Sequence, residues 1–312
     1  MTQAAATAAP QKPPLMSIVK KTRTAAPVRV CMYGVPGIGK STFAAAAPSP
    51  VFLAAESGLT GIDAQALEPT SWAHALELME RVATEPHGFK TFVIDTASWL
   101  EQEFVHKATC EKHKKKSMSD FEFGKGPFYA LDEWKPMRQH LETMWSKRGM
   151  NIIVLAHAHT AKIKNPAGAD YGIITMKLDV PIDAYLREWA DAVLYCEYQT
   201  FEVGGDSKRA KVISDGARLV HTQHRGAFNA KNRYNLPELI PLEWSAFEEA
   251  VAANRPAEPD VTKARILTML EGVDEMLKTK VMAAVEKNSS DAVMLARIAN
   301  HLAAQIGIKE KA

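Results

Sequence analysis

The stretch Val28–Ser41, VRVCMYGVPGIGKS, decides how this chain is read. Its first half, Val28–Tyr33, is a short apolar run rich in β-branched residues, and it predicts a buried strand. Its second half, Gly34-Val35-Pro36-Gly37-Ile38-Gly39-Lys40-Ser41, fits the pattern G-x-x-x-x-G-K-[ST]. Glycines let a backbone curl so that successive N–H groups point inward at phosphates. Lys40 supplies a cation to the terminal phosphates of a nucleotide, and the Ser41 hydroxyl is a ligand for Mg²⁺. Thr42 completes the expected nucleotide-binding set. An Ala-rich helix follows, and Pro48 and Pro50 must stop it. A strand before the glycines and a helix after them are the context in which this motif binds phosphate.

Outward from that loop, each apolar run ends on a polar residue. Val51–Ala54 predicts a second strand, and Glu56 just beyond it is the first carboxylate of the chain. Phe89–Ile94 predicts a third strand, closing on Asp95. A carboxylate there is placed to hold a water of the Mg²⁺ bound by Ser41. Thr96, not a second acid, follows Asp95, so the water-activating base must come from elsewhere. Glu56 is the candidate. Asn151–Leu155 predicts a fourth strand, leading into Ala156-His157-Ala158-His159. If the strand continues, the two histidines share a face, and His157 or His159 is placed to sense a γ-phosphate. Two histidines without cysteine support are too few for zinc.

Composition narrows the classes. The chain has 312 residues, 46% hydrophobic and 24% charged, which suits one large α/β domain with an appendage. Thirty-eight basic residues against 36 acidic ones exclude a globally basic nucleic-acid coat, but not local basic patches. Three widely spaced cysteines argue against a disulfide framework and suit a reducing cytoplasm. No apolar run approaches the ~18–20 residues of a membrane span. Residues 1–25 are rich in Ala and Pro, carry no acid, and read as a flexible basic lead-in. A transit peptide is the minor alternative.

Alternating strands and helices over residues 26–245 predict an α/β fold, a mostly parallel sheet flanked by helices. Ser71–Ala83, Trp99–Cys110 and Leu131–Trp145 read as helices, and Ala161–Asp179 as a long mobile loop. Ala190–Glu197, Phe201–Val203 and Ala210–Ile213 read as further strands. Residues 246–259 are expected to be a linker, and residues 260–312 a small helical domain. His106, Cys110 and His113 fall on one helical face, but they lack a fourth ligand and read as a solvated face.

The phosphate loop, Glu56, Asp95, a strand-end histidine and a late Lys-x-Arg together resemble the RecA-like ATPase core. The order FLAAESG, FVIDTAS, IIVLAHAHT, EWADAVLY and AKNRYNLPELIPLEW is similar to phage ATPases of the AAA type. These include the core-only, Sak-type RecA relatives of single-strand annealing. The resemblance implies a RecA-like P-loop NTPase core, ATP and Mg²⁺ as cofactors, and hydrolysis coupled to single-stranded DNA in recombination or annealing. It implies a homo-oligomer, a ring or short filament, in the host cytoplasm if the chain is phage-encoded. A single-strand-binding protein is a further implied partner. Full-length recombinases carry an N-terminal polymerisation domain that is not evident here, which argues against long filaments.

By the same resemblance, loops after the metal strand and its neighbour would bind the strand. The first carries Lys112, Lys114, Lys115 and Lys116, with Phe121 and Phe123 behind, and the second carries Lys162, Lys164 and Tyr171. Cations that follow phosphates and rings that stack on bases suit sequence-tolerant binding. Lys231 and Arg233 would reach a neighbouring subunit's γ-phosphate as a finger in trans. The alternatives are a replicative-helicase-like ATPase, a P-loop small-molecule kinase, and a nucleotide-dependent scaffold without hydrolysis.

Overall fold

Side-chain alternation along the central strands divides the core in two. In β1 (Arg29–Gly34), Val30 and Met32 pack with Phe43, Phe52 and Val93. Cys31 and Tyr33 point the other way and pack with Phe92, Trp134 and Met137. This is the two-residue period of a strand buried on both faces, which is why the run reads as continuously apolar.

The computed structural model describes residues 27–166, 168–203, 211–254, 259–270, 275–290, 294–295, 298–299 and 301–302. The remaining strands are β2 (Pro50–Ala54), β3 (Gln65–Leu67), β4 (Thr91–Asp95), β5 (Asn151–Ile163), β6 (Tyr171–Met176), β7 (Ala192–Val203), β8 (Lys211–His221), β9 (Lys231–Asn232) and β10 (Leu239–Pro241). They form a 10-stranded sheet in the order β10-β8-β7-β1-β5-β4-β2-β3, with β6 on β5 and β9 on β7. From β3 to β7 along this path every pairing is parallel; β8, β10, β6 and β9 pair antiparallel. The α/β fold with a mostly parallel sheet between helices is therefore present.

Register sets the site. Gly34 lies level with His157 across the β1/β5 pairing, and Ala54 lies level with Asp95 across β2/β4. The carboxyl ends of four parallel strands thus present the phosphate loop, His157, Asp95 and Glu56 at one edge, where ligands of open α/β sheets bind.

Several elements differ from the sequence reading. The expected loop Ala161–Asp179 is largely ordered: β5 runs on to Ile163 and pairs with β6 as an antiparallel hairpin. Pro166, Gly168 and Gly172 broke the alternation and hid the hairpin. The expected linker 246–259 is taken up as far as Asn254 by a helix, Trp244–Asn254, whose Phe247 and Val251 are buried. Pro27–Arg255 forms one unit, so the core extends ten residues beyond the expected limit at 245. The helix expected at Leu131–Trp145 spans Gly126–Arg148 and contains Pro136. The expected helix Trp99–Cys110 is three pieces: α-helix Ala97–Leu100, a π turn Glu101–Val105, and α-helix His106–Lys112.

The C-terminal unit has helices Pro259–Met269 and Glu275–Lys287 and a small core of its own, with Ile266, Leu270, Val285, Leu295, Ala299 and Leu302. Leu267 and Met294 are exposed. The N-terminal lead-in lies outside the described residues. Among the described residues, no helix is long and apolar enough to cross a membrane.

Candidate functional site

The phosphate loop is fixed from below and open above. Ile38 is fully buried in the core, an anchor that contributes about 1.5–3 kcal/mol for a side chain of its size. A side chain at Gly34 would press within 2.6 Å of the Cys196 carbonyl on β7. Gly39 has φ +109°, a backbone that side chains rarely adopt, and it leads into the six-residue helix Lys40–Ala45. Pro36, Gly37, Gly39, Lys40, Ser41 and Thr42 face a cavity of about 1060 Å³. Val35 is exposed and, like Gly34 and Ile38, does not line that cavity.

Glu56, Asp95, Thr96 and His157 also line this cavity. Lys40 Nζ donates to the Gly34 and Val35 carbonyls at 3.1 and 3.0 Å. Burial lowers its pKa, so a phosphate that replaces lost hydration is a favourable partner. Ser41 Oγ donates to Asp95 Oδ2 at 2.6 Å. This all-oxygen pair fits a hard cation such as Mg²⁺. Glu56 Oε2 lies 3.6 Å from His157 Nε2, and the His157 backbone N–H is held by Ser98 Oγ at 3.0 Å.

The environments of Glu56 and Asp95 drive their acidities apart. His157 is the largest influence on Glu56 and holds its pKa below the ordinary value. Burial pushes Asp95 up, against the hydrogen bond from Ser41. Divergent environments of this kind separate the roles of paired acids. His157 favours the carboxylate form of Glu56, whereas a cation beside Asp95 would offset the cost of its burial. When bound, Mg²⁺ would be held by Ser41 and Asp95 and would neutralise phosphate charge.

Two residues that the sequence did not single out reach the same loop. Tyr198 on β7 and Arg218 on β8 are cross-strand partners. Tyr198 Oη lies 3.5 Å from the Gly37 carbonyl. A methyl group at Gly39 would come within 2.8 Å of Arg218 Nη1. The β7–β8 pair therefore brings a guanidinium to the phosphate loop within the same chain. No spacing motif signals this, because antiparallel pairing joins positions twenty residues apart. Trp99, 42% exposed, also lines the cavity.

The expected nucleic-acid residues are dispersed over two regions. Lys112 Nζ pairs with Glu133 at 2.6 Å, and Lys115 lies over the Phe121 ring. Phe121 is buried, so it does not stack on a base; Phe123, 92% exposed, is the available ring. Lys114 and Lys116 form no ion pair among the described residues. Lys162 lies near the end of β5, 3.7 Å from Asp170, with Lys164 just beyond the strand and Tyr171 exposed on β6.

Lys231 and Arg233 do not share one environment. Lys231 Nζ donates to the carbonyls of Arg187, Glu188 and Ala190 at 2.8, 2.8 and 2.6 Å, closing the end of helix Val180–Trp189. That ammonium is committed within its own chain. Arg233 is more exposed and touches Asp191 at 3.3 Å, while Asp191 is held mainly by Arg29 at 2.9 Å. Glu238 is paired with Arg225.

The solvated face expected for His106, Cys110 and His113 is also corrected. Cys110 is buried, His113 packs on Phe121 and Tyr129, and His106 Nε2 meets Asp179 Oδ2 at 3.0 Å.

The fold and the site define a P-loop nucleoside triphosphatase. Residues 26–234 match the family model described as AAA domain, more than half of the chain, and the protein belongs to that family. The crystal structure of the RadB recombinase is similar at 11% identity and a TM-score of 0.38, over 65% of this chain and 84% of that one. Comparison with curated proteins gives no match.

Proposed function

We propose that this protein is a Mg²⁺-dependent ATPase that acts on single-stranded DNA in recombination or strand annealing, as a homo-oligomer. One observation carries the hydrolytic part of this reading. Lys40, the Ser41–Asp95 pair and the Glu56–His157 pair all face one cavity, so phosphate, metal and water-activating groups converge there. Lys40 and the loop amides hold the phosphates. Glu56, ionised beside His157, accepts the proton of an attacking water. The His157 backbone sits on β5, whose extension carries Lys162. Loss of the γ-phosphate thus has a short covalent route to the hairpin.

The DNA part is supported by the lysines after the segment that begins at Asp95 and by those at the β5–β6 hairpin, each with an exposed ring, Phe123 or Tyr171. Arg233 is the member of the late pair left to act on a neighbouring subunit.

Phosphate release from ATP with Mg²⁺ tests the catalytic assignment. The wild type turns over, Lys40→Ala does not, and Glu56→Gln binds ATP but is slowed on the order of 10²–10⁴-fold. Binding without turnover by the wild type, or phosphate transfer to a metabolite, would overturn the reading.

A further inference from the structure

The π turn Glu101–Val105 sets residues five apart on the same face. In an α-helix, with 3.6 residues per turn, they would be separated by about 140°. In a π turn the hydrogen bond itself spans five residues, and here the His106 N–H donates to the Glu101 carbonyl. Glu101 and His106 consequently meet a third group, Asp179, which immediately precedes the helix Val180–Trp189. One donor atom from each of the three lies within 4.8 Å of the others.

One side of this cluster is satisfied and the other is not. Glu101 Oε2 accepts the Asp179 backbone N–H at 2.9 Å, and Asp179 Oδ2 meets His106 Nε2 at 3.0 Å. Glu101 Oε1 is buried with no hydrogen-bond partner, on a residue only 3% exposed. An acceptor buried without a donor is costly, more so when ionised. Nearby Asp183 offers no relief, since its carboxylate is itself an acceptor, taking bonds from Thr175 and Arg187. A positive charge is what the cluster lacks.

We infer that Glu101, His106 and Asp179 form a binding site for one divalent transition-metal ion of the Zn²⁺ or Mn²⁺ class, separate from the nucleotide's Mg²⁺. Two carboxylates balance the charge of a divalent ion, and an imidazole favours a transition metal over Mg²⁺. His106 and Asp179 are each about a quarter exposed, which leaves an entry path and room for water as a further ligand. The ion would tie the segment that follows Asp95 to the chain that follows the β5–β6 hairpin, two parts with no covalent link nearby.

The test uses the full chain, stripped with chelator and free of nucleotide, titrated calorimetrically with ZnCl₂ and separately with MnCl₂. One equivalent of at least one of these ions binds to the wild type. Affinity falls roughly tenfold or more in Glu101→Gln and in His106→Ala. Glu56→Gln, at the nucleotide cavity, binds as the wild type does. Absence of a bound equivalent of either ion, or equal affinity in folded Glu101→Gln and His106→Ala, would overturn the inference. Should those variants fail to fold, zinc-edge X-ray absorption on the wild type reads the donors directly. One imidazole with oxygen donors supports the site. Sulfur or two or more imidazoles around the zinc would refute it, as would retention of neither zinc nor manganese.

Discussion

Glu56 Oε2 and His157 Nε2 lie 3.6 Å apart, the first just beyond β2 and the second within β5, two strands that do not pair with each other in the sheet. Strand β4, ending at Asp95, runs between them. The pair therefore brackets Asp95, the carboxylate proposed to hold the metal. Replacing His157 with Ala removes the largest influence that keeps the Glu56 pKa low. That pKa then rises towards its ordinary value. A base works only when ionised, so the acid limb of the kcat–pH profile moves to higher pH in His157→Ala. An unmoved acid limb would separate His157 from the base.

The Ser41–Asp95 contact predicts a metal phenotype. Asp95→Asn removes the charge that a cation offsets, and Ser41→Ala removes a direct ligand. Each variant needs more Mg²⁺ for half-maximal turnover than the wild type, measured by Mg²⁺ titration at fixed ATP. Asp95→Asn with an unchanged Mg²⁺ requirement would exclude Asp95 from the metal site.

Arg218 gives a prediction that no motif contains. With its guanidinium at Gly39, Arg218→Ala weakens nucleotide binding on the order of 10–100-fold, the range of a hydrogen bond to a charged group. A fluorescent nucleotide titration reads this. Gly39→Ala adds backbone strain at φ +109° to a clash with the same guanidinium, and it loses binding more completely.

Lys231 and Arg233 separate by experiment. Lys231→Ala leaves three carbonyls at a helix end without their ammonium and costs about 1–2 kcal/mol of stability, read as a lower Tm. Arg233→Ala changes Tm little. In mixtures with Lys40→Ala, Arg233→Ala restores turnover if it acts across a subunit boundary. A flat response to mixing ratio, with subunit exchange confirmed, places Arg233 in cis or outside catalysis.

The nucleotide site was legible in the sequence because its parts are local. A strand, a glycine loop and a helix lie within eighteen residues, and Glu56 and Asp95 each follow an apolar run. What escaped depended on pairing between distant segments. Tyr198 and Arg218 meet the phosphate loop only because β8 pairs antiparallel with β7. His106, Cys110 and His113 read as one solvated face of a regular helix, but the π turn brings His106 to Asp179. Lys231 carried a plausible motif whose ammonium tertiary structure uses as a helix cap. The β5–β6 hairpin was hidden by Pro and Gly residues at its turn.

The most direct test of the central claim is ATP turnover titrated with single-stranded DNA, in the wild type and in Lys112→Ala/Lys114→Ala/Lys115→Ala/Lys116→Ala. A saturable rise in turnover is predicted for the wild type. In the fourfold variant the DNA concentration for half-maximal stimulation rises. Its binding also loses about 0.7 from the salt slope for each phosphate contact removed, with Lys112, held by Glu133, contributing least. Wild-type turnover that is indifferent to single-stranded DNA at every concentration would contradict the account.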